Sequence, residues 1–236
     1  MVSIANLHRQ QSRIWVYFFA LLVVVALPNL ARAQTIQWIR QFGTATLDSA
    51  RHVDVDSTGV YVVGYTNGAL PGQASAGVVG FNFDAFVRKY DTNGTELWTR
   101  EFGSADNDDA RGAAVDATGV YVVGSTGRAL PGQTSAGGLD AFVRKYDVNG
   151  TELWTRQFGS AGLDAGYGVA VDATGAYIVG HTNGTLPGQT RVGGYDAFVR
   201  KYDTNGTELW TRQFGTVENE EALGVAVGAT ASSEAP

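Results

Sequence analysis

The strongest constraint on this chain is that its text repeats. Trp38, Trp98, Trp154 and Trp210 are separated by 60, 56 and 56 residues, and the sequence around them recurs nearly unchanged. DAFVRKYDTNGTELWTREFG starts at Asp84, DAFVRKYDVNGTELWTRQFG at Asp140 and DAFVRKYDTNGTELWTRQFG at Asp196. DSTGVYVVG, DATGVYVVG and DATGAYIVG start at Asp56, Asp116 and Asp172, and LPGQ starts at Leu70, Leu130 and Leu186. Self-similarity at a fixed period means one supersecondary unit, stacked on copies of itself to bury its apolar faces. The first unit is four residues longer, within GVVGFNFD before Asp84. An insertion tolerated there marks a surface loop.

Each unit reads as four short strands. In the second unit, Arg111–Asp116 is small and apolar, and Asp-Ala-Thr-Gly then turns the chain. Val120–Ser125 has the valine and tyrosine content of a strand buried on both faces. After a glycine-rich loop through Pro131, Ala141–Tyr146 and Glu152–Phe158 flank Asp147-Val148-Asn149-Gly150. Asn-Gly between alternating segments is a strong hairpin signal, because both residues accept positive φ. Four antiparallel strands per unit, in series, predict an all-β fold: a β-propeller of four-stranded blades. Leucine-rich and hexapeptide repeats have shorter units, and a β-sandwich gives no reason for near-identical copies.

The pattern F-G…A-V-D-A-T-G-V-Y-V-V-G-x-T…D-A-F-V-R-K-Y-D-x-N-G-T-E-L-W, running over residues 36–228, resembles the bacterial beta-propeller repeat SBBP. KYDTNGTELW is also similar, over a shorter span, to the tryptophan-docking segment of quinoprotein propellers. The SBBP resemblance implies a secreted or surface-exposed bacterial propeller and no particular reaction. It also suggests an inner-to-outer strand order, with the glycine- and alanine-rich strand nearest the axis and the tryptophan strand outermost.

In that order the chain opens with an outer strand near Trp38 and holds complete blades at about 51–103, 111–159 and 166–215. It enters a fourth blade with an inner strand at Ala222–Val227, after which the expected turn becomes GATASSEAP. Propellers close with roughly four to eight blades. Three blades with flanking single strands leave edges open to pairing, so self-association is one expectation. A shortened copy of a longer propeller is the other, favoured by the abrupt loss of pattern at Gly228.

Residues 1–33 read as a secretory signal peptide, leaving 34–236 as the repeat domain. Arg9 and Arg13 precede an apolar run, Ile14–Leu27, which ends at Pro28 and Ala31-Arg32-Ala33. The run is short for a membrane span of about 20 residues. Export to the periplasm or the extracellular space follows, with no span after cleavage. Of 17 basic residues, Arg9, Arg13 and Arg32 leave with the signal, so 14 face 23 acids. That balance argues against a nucleic-acid partner. The absence of cysteine excludes disulfides, thiolate metal sites and a cysteine nucleophile.

Ten residues after each tryptophan stands an acid: Asp48, Asp108, Asp164 and Glu220. In the loop between an outer strand and the next inner strand, they would form a carboxylate ring facing a cation or a basic ligand. The alternative is that each caps local backbone N–H groups. Asp109 and Glu221 add acidity in two units only. Asp56, Asp116 and Asp172, like Asp91, Asp147 and Asp203, suit turns, and D-x-N-G lacks the later ligands of an EF-hand loop. Asp84, Asp140 and Asp196 are expected to pair with Arg88, Arg144 and Arg200 or the neighbouring lysines. Trp38, Trp98, Trp154 and Trp210 are expected to dock blade on blade, a sugar-stacking platform being the functional alternative. Lys89, Lys145 and Lys201 should lie across the hairpin from the last three, in cation–π reach. The Asn-Gly-Thr sequons at Asn93, Asn149, Asn183 and Asn205 are met first by turn chemistry.

Catalytic motifs are missing: no H-E-x-x-H, no G-x-S-x-G and no G-x-x-x-x-G-K. No catalytic residue, metal or cofactor is expected. His52 and His181, the histidines beyond the signal, are not equivalent in their units. The sequence therefore points to a non-enzymatic propeller that binds a protein or polysaccharide, or serves as a surface scaffold. The alternative is a fragment of a propeller enzyme of hydrolase, lyase or quinoprotein type, with its site on other blades.

Overall fold

A computed structural model describes residues 36–228. The expected signal peptide and the tail from residue 229 lie outside the described residues. Twelve strands follow one another, and no helix occurs among the described residues. The first sheet contains β1 (Asp48–Asp56), β2 (Gly59–Thr66), β3 (Asp84–Tyr90) and β4 (Glu96–Phe102). The second contains β5 (Asp108–Asp116), β6 (Gly119–Thr126), β7 (Asp140–Asp147) and β8 (Glu152–Phe158). The third contains β9 (Asp164–Asp172), β10 (Gly175–Thr182), β11 (Asp196–Tyr202) and β12 (Glu208–Phe214). Each sheet is an antiparallel meander in chain order, as a propeller blade requires. The fold is all-β and propeller-like, and the described sheets do not close a ring. As its composition predicts, β6 is buried from end to end.

The inner strands begin two or three residues earlier than the sequence suggests, at Asp48, Asp108 and Asp164. Each of these acids pairs with the threonine that ends the second strand, Thr66, Thr126 or Thr182. The flanking single strands expected at Trp38 and Ala222–Val227 are not formed; neither segment lies in a ladder. A strand needs a neighbour to satisfy its N–H and C=O groups, and the bond from Ala222 N to Gly180 O at 3.4 Å does not continue as a ladder.

Two turns set the register. In the first, Asp56 Oδ1 accepts from Thr58 N at 2.7 Å, Thr58 Oγ1 at 2.7 Å and Gly59 N at 2.9 Å. The second is not the two-residue turn expected from Asn-Gly. Gly150 N donates to Asp147 O at 3.0 Å and Asp147 N to Thr151 O at 2.8 Å, which makes a three-residue loop. Asp147 Oδ1 caps the N–H groups of Asn149 and Thr151 inside it. In this loop Gly150 alone takes the left-handed conformation, φ 79°, and among the described residues no residue other than glycine has positive φ. The wider loop still sets Lys145 opposite Trp154.

This loop is also the joint between blades. Trp98 Nε1 donates to Val148 O at 3.1 Å and Arg100 Nε to Gly150 O at 2.7 Å. The indole lies so close that a Cβ on Gly150 would stand 2.7 Å from it. Trp98 is 6.0 Å from Tyr61 of its own blade and 6.2 Å from Tyr146 of the next, while Phe102 meets Phe142 edge-on at 5.5 Å. Trp154, Arg156 and Phe158 repeat this against the Thr204–Gly206 loop and Phe198. Trp38, Arg40 and Phe42 do the same against Thr92, Gly94 and Phe86 without forming a strand. The inter-blade cores are built from these rings and from Val63 of β2, Val120, Val122 and Val123 of β6 and Ile178 of β10.

Candidate functional site

The four loop acids are engaged by their own backbone. Asp108 and Asp164 are fully buried. Ser104 N donates to Asp108 Oδ2 and Ser160 N to Asp164 Oδ2, both at 2.6 Å. Asp48 accepts from Thr44 N at 2.6 Å and Thr66 Oγ1 at 2.6 Å, and Glu220 from Thr216 N at 2.9 Å. Each acid closes the loop that begins four residues before it. Burial pushes the Asp108 carboxyl up to about 7 and raises that of Asp164, against the hydrogen bonds from Ser104, Ser160 and the paired threonines. No group of three or more His, Asp or Glu able to hold a metal ion occurs among the described residues.

Asp84, Asp140 and Asp196 do not pair with the arginines of their strands. Their Oδ2 atoms accept from Ala76 N, Ala136 N and Val192 N at 2.9, 2.9 and 2.8 Å, fixing the loop before the third strand. Arg88, Arg144 and Arg200 instead reach Glu96, Glu152 and Glu208 at 3.4 Å across the outer hairpin. The lysines face tyrosines rather than tryptophans: Lys89, Lys145 and Lys201 stand over Tyr61, Tyr121 and Tyr177. Arg100, Arg156 and Arg212 take the tryptophan faces. Trp38, Trp98 and Trp154 act in blade docking, whereas Trp210 has no following hairpin among the described residues.

A different set of residues crosses all three blades, at the N-terminal ends of β1, β5 and β9. Asp109 lies between two guanidinium groups, Arg111 Nε at 3.0 Å and Arg51 Nε at 3.6 Å. Arg51 covers Tyr65 at 5.0 Å, and Arg111 covers Tyr167 at 4.9 Å. The His181 ring stands 5.3 Å from Tyr167 and 4.5 Å from Tyr195. Its Nδ1 lies 3.2 Å from Glu221 Oε1. Burial lowers the His181 pKa, with Arg111 adding to the effect and Glu221 opposing it, so the imidazole favours its neutral form. Alternating acids, guanidinium groups and ring faces form a polar ladder suited to a ligand rich in hydroxyl groups.

The ladder occupies positions at which the units disagree. Tyr65, Ser125 and His181 are equivalent, as are Arg51, Arg111 and Tyr167, and Ser49, Asp109, Ala165 and Glu221. Asp109, Glu221 and His181 already stand out in the sequence as departures from the repeat, and aligning the units and reading their mismatches finds the others. Searching for what recurs passes over them.

No helix among the described residues is long and apolar enough to cross a membrane. Over 161 residues the chain is 31% identical to Regulatory protein FlaEY of Caulobacter vibrioides. The match takes in 61% of this chain and spans 17% of that relative's length. Residues 37–71 match the family model SBBP, described as a beta-propeller repeat. That match lies at the head of three successive four-stranded sheets.

Proposed function

We propose that the chain is an exported, non-enzymatic propeller module that binds a polysaccharide along the ladder from Arg51 to Glu221. The ladder itself carries this reading. Many polar side chains elsewhere make the same loop and hairpin contacts in blade after blade, whereas along the ladder the blades differ. Tyr65, Tyr167 and Tyr195 offer ring faces for sugar stacking, and Asp109, Arg111 and Glu221 offer hydrogen bonds to hydroxyls. A role without catalysis agrees with a relative whose name describes regulation. Self-association through open blade edges belongs to the same proposal.

The test is binding of the purified chain to an array of bacterial polysaccharides, with release of reducing ends measured on every glycan bound. Binding that Arg111→Ala and Tyr167→Ala each weaken at least tenfold, with no sugar released, is the expected result. Turnover, or binding indifferent to both substitutions, would reject the proposal.

A further inference from the structure

One position breaks the outer-strand repeat in a chemically telling way. After the docking arginine, β8 and β12 carry Gln157 and Gln213, whereas β4 carries Glu101. The glutamines work as two-sided clamps. Gln157 Oε1 accepts from Leu130 N at 2.8 Å, and its Nε2 donates to Asp140 Oδ2 at 2.7 Å and to Arg128 O at 3.2 Å. Gln213 does likewise with Leu186 N at 3.0 Å, Asp196 Oδ2 at 2.8 Å and Gly184 O at 2.9 Å.

Glu101 keeps the first half of the clamp, its Oε2 accepting from Leu70 N at 2.8 Å. Where the amide nitrogen would be it has a second oxygen, and the equivalent acceptors on that side are Asp84 and Gly68 O. Glu101 Oε1 is buried with no hydrogen-bond partner. Asp84 is 1% exposed, and its Oδ1 also has none. The Oδ1 atoms of Asp140 and Asp196 are unpartnered in the same way, so it is Glu101 that sets the first blade apart. Ser75 Oγ, from the loop that carries the four-residue insertion, touches Asp84 Oδ2. Two carboxylates and a carbonyl thus meet where the other two blades have an N–H donor. Unpaired buried carboxylates are costly unless a cation or a proton joins them.

We propose that Glu101 and Asp84, with the Gly68 carbonyl and the Ser75 hydroxyl, bind a divalent cation of the calcium type in the first blade. An all-oxygen set with carboxylates from two strands suits a hard cation that accepts irregular geometry, and Ca²⁺ does so more readily than Mg²⁺. The cation replaces the two hydrogen bonds that Gln157 and Gln213 donate. It ties the outer strand to the start of the third strand at the one blade whose loop is longer. The polysaccharide proposal does not depend on this site, because the ladder residues are different ones.

Calorimetric titration of the EDTA-treated chain with CaCl₂ tests it, comparing wild type, Glu101→Gln and Gln157→Glu. Glu101→Gln restores the clamp already present in two blades, so its folding is secured by the chain's own example. One Ca²⁺ should bind wild type with a Kd of about 10⁻⁴–10⁻³ M, the range of extracellular modules. Glu101→Gln should not bind, and Gln157→Glu should gain a second site. No heat with wild type, or equal heat with wild type and Glu101→Gln, overturns the proposal. So does a wild type indifferent to Ca²⁺ whose Tm rises on acidification while that of Glu101→Gln does not, since a shared proton then joins the pair.

Discussion

A buried carboxylate is legible in a sequence only as an acid; whether it is paired, protonated or solvated depends on residues far along the chain. Asp164 shows the difference. Its place ten residues after a tryptophan suggests a loop acid, yet it heads β9 because it pairs with Thr182, at the far end of the neighbouring strand. The same pairing buries it. Burial, with Asp140 adding, raises its pKa above the ordinary carboxylate value of 3.8. The native state then holds its proton more tightly than the unfolded chain does. The contribution of Asp164 to stability is therefore fully present below the ordinary value of 3.8 and is lost as pH rises through the raised native pKa. Asp164→Asn keeps an oxygen for the Ser160 N–H and removes the charge. Urea unfolding between pH 4 and 8 should show the stability of the variant, relative to wild type, improving with pH. Parallel profiles would mean that the carboxylate is ionised throughout.

At the scale of elements, the strand order was legible because the period fixes it, and it also sets Trp98 and Trp154 against the hairpin of the following sheet. The turn geometry was not. Asn-Gly suggests a two-residue turn, but Asp91, Asp147 and Asp203 each place a carboxylate where it caps two N–H groups of a wider loop. That wider loop makes room for the preceding blade's indole, a contact between elements about 50 residues apart that no local pattern encodes. Docking can be measured by comparing equivalent tryptophans. Trp98 is 9% exposed between two blades, whereas the indole of Trp210 meets Tyr177 of its own blade edge-on. Trp98→Ala should cost about 3–5 kcal/mol, the usual range for a large aromatic truncated in a core. Trp210→Ala should cost less than half as much. Equal losses by urea unfolding would place the energy of these rings within blades rather than between them.

For the whole molecule, a propeller divides its interactions between faces that meet the next blade and faces that meet the previous one, so an open arc presents one of each. Val53 and Val55 of β1 are 55% and 60% exposed, while their counterparts Ala113 and Val115 in β5 are covered by the first blade. At the other end Phe214 is 53% exposed, where Phe102 and Phe158 are each 7% exposed under the next blade's phenylalanine. The two ends are thus unlike and complementary, which favours head-to-tail association over a two-fold dimer. In such a joint Phe214 and Trp210 of one copy would compete with Phe42 and Trp38 of the next for the same Phe86, Tyr90 and Gly94. That exchange swaps a segment outside any ladder for a strand already held in a sheet, and it costs little because the contacts replaced are the contacts formed. Light scattering after size-exclusion chromatography should show a mass that grows with concentration. Phe214→Asp should return it to that of a single chain, because a carboxylate at the joint would be buried without a partner. A wild type of single-chain mass at all concentrations would mean that water covers both ends as well as a second copy does, and that association has no part in what this propeller does.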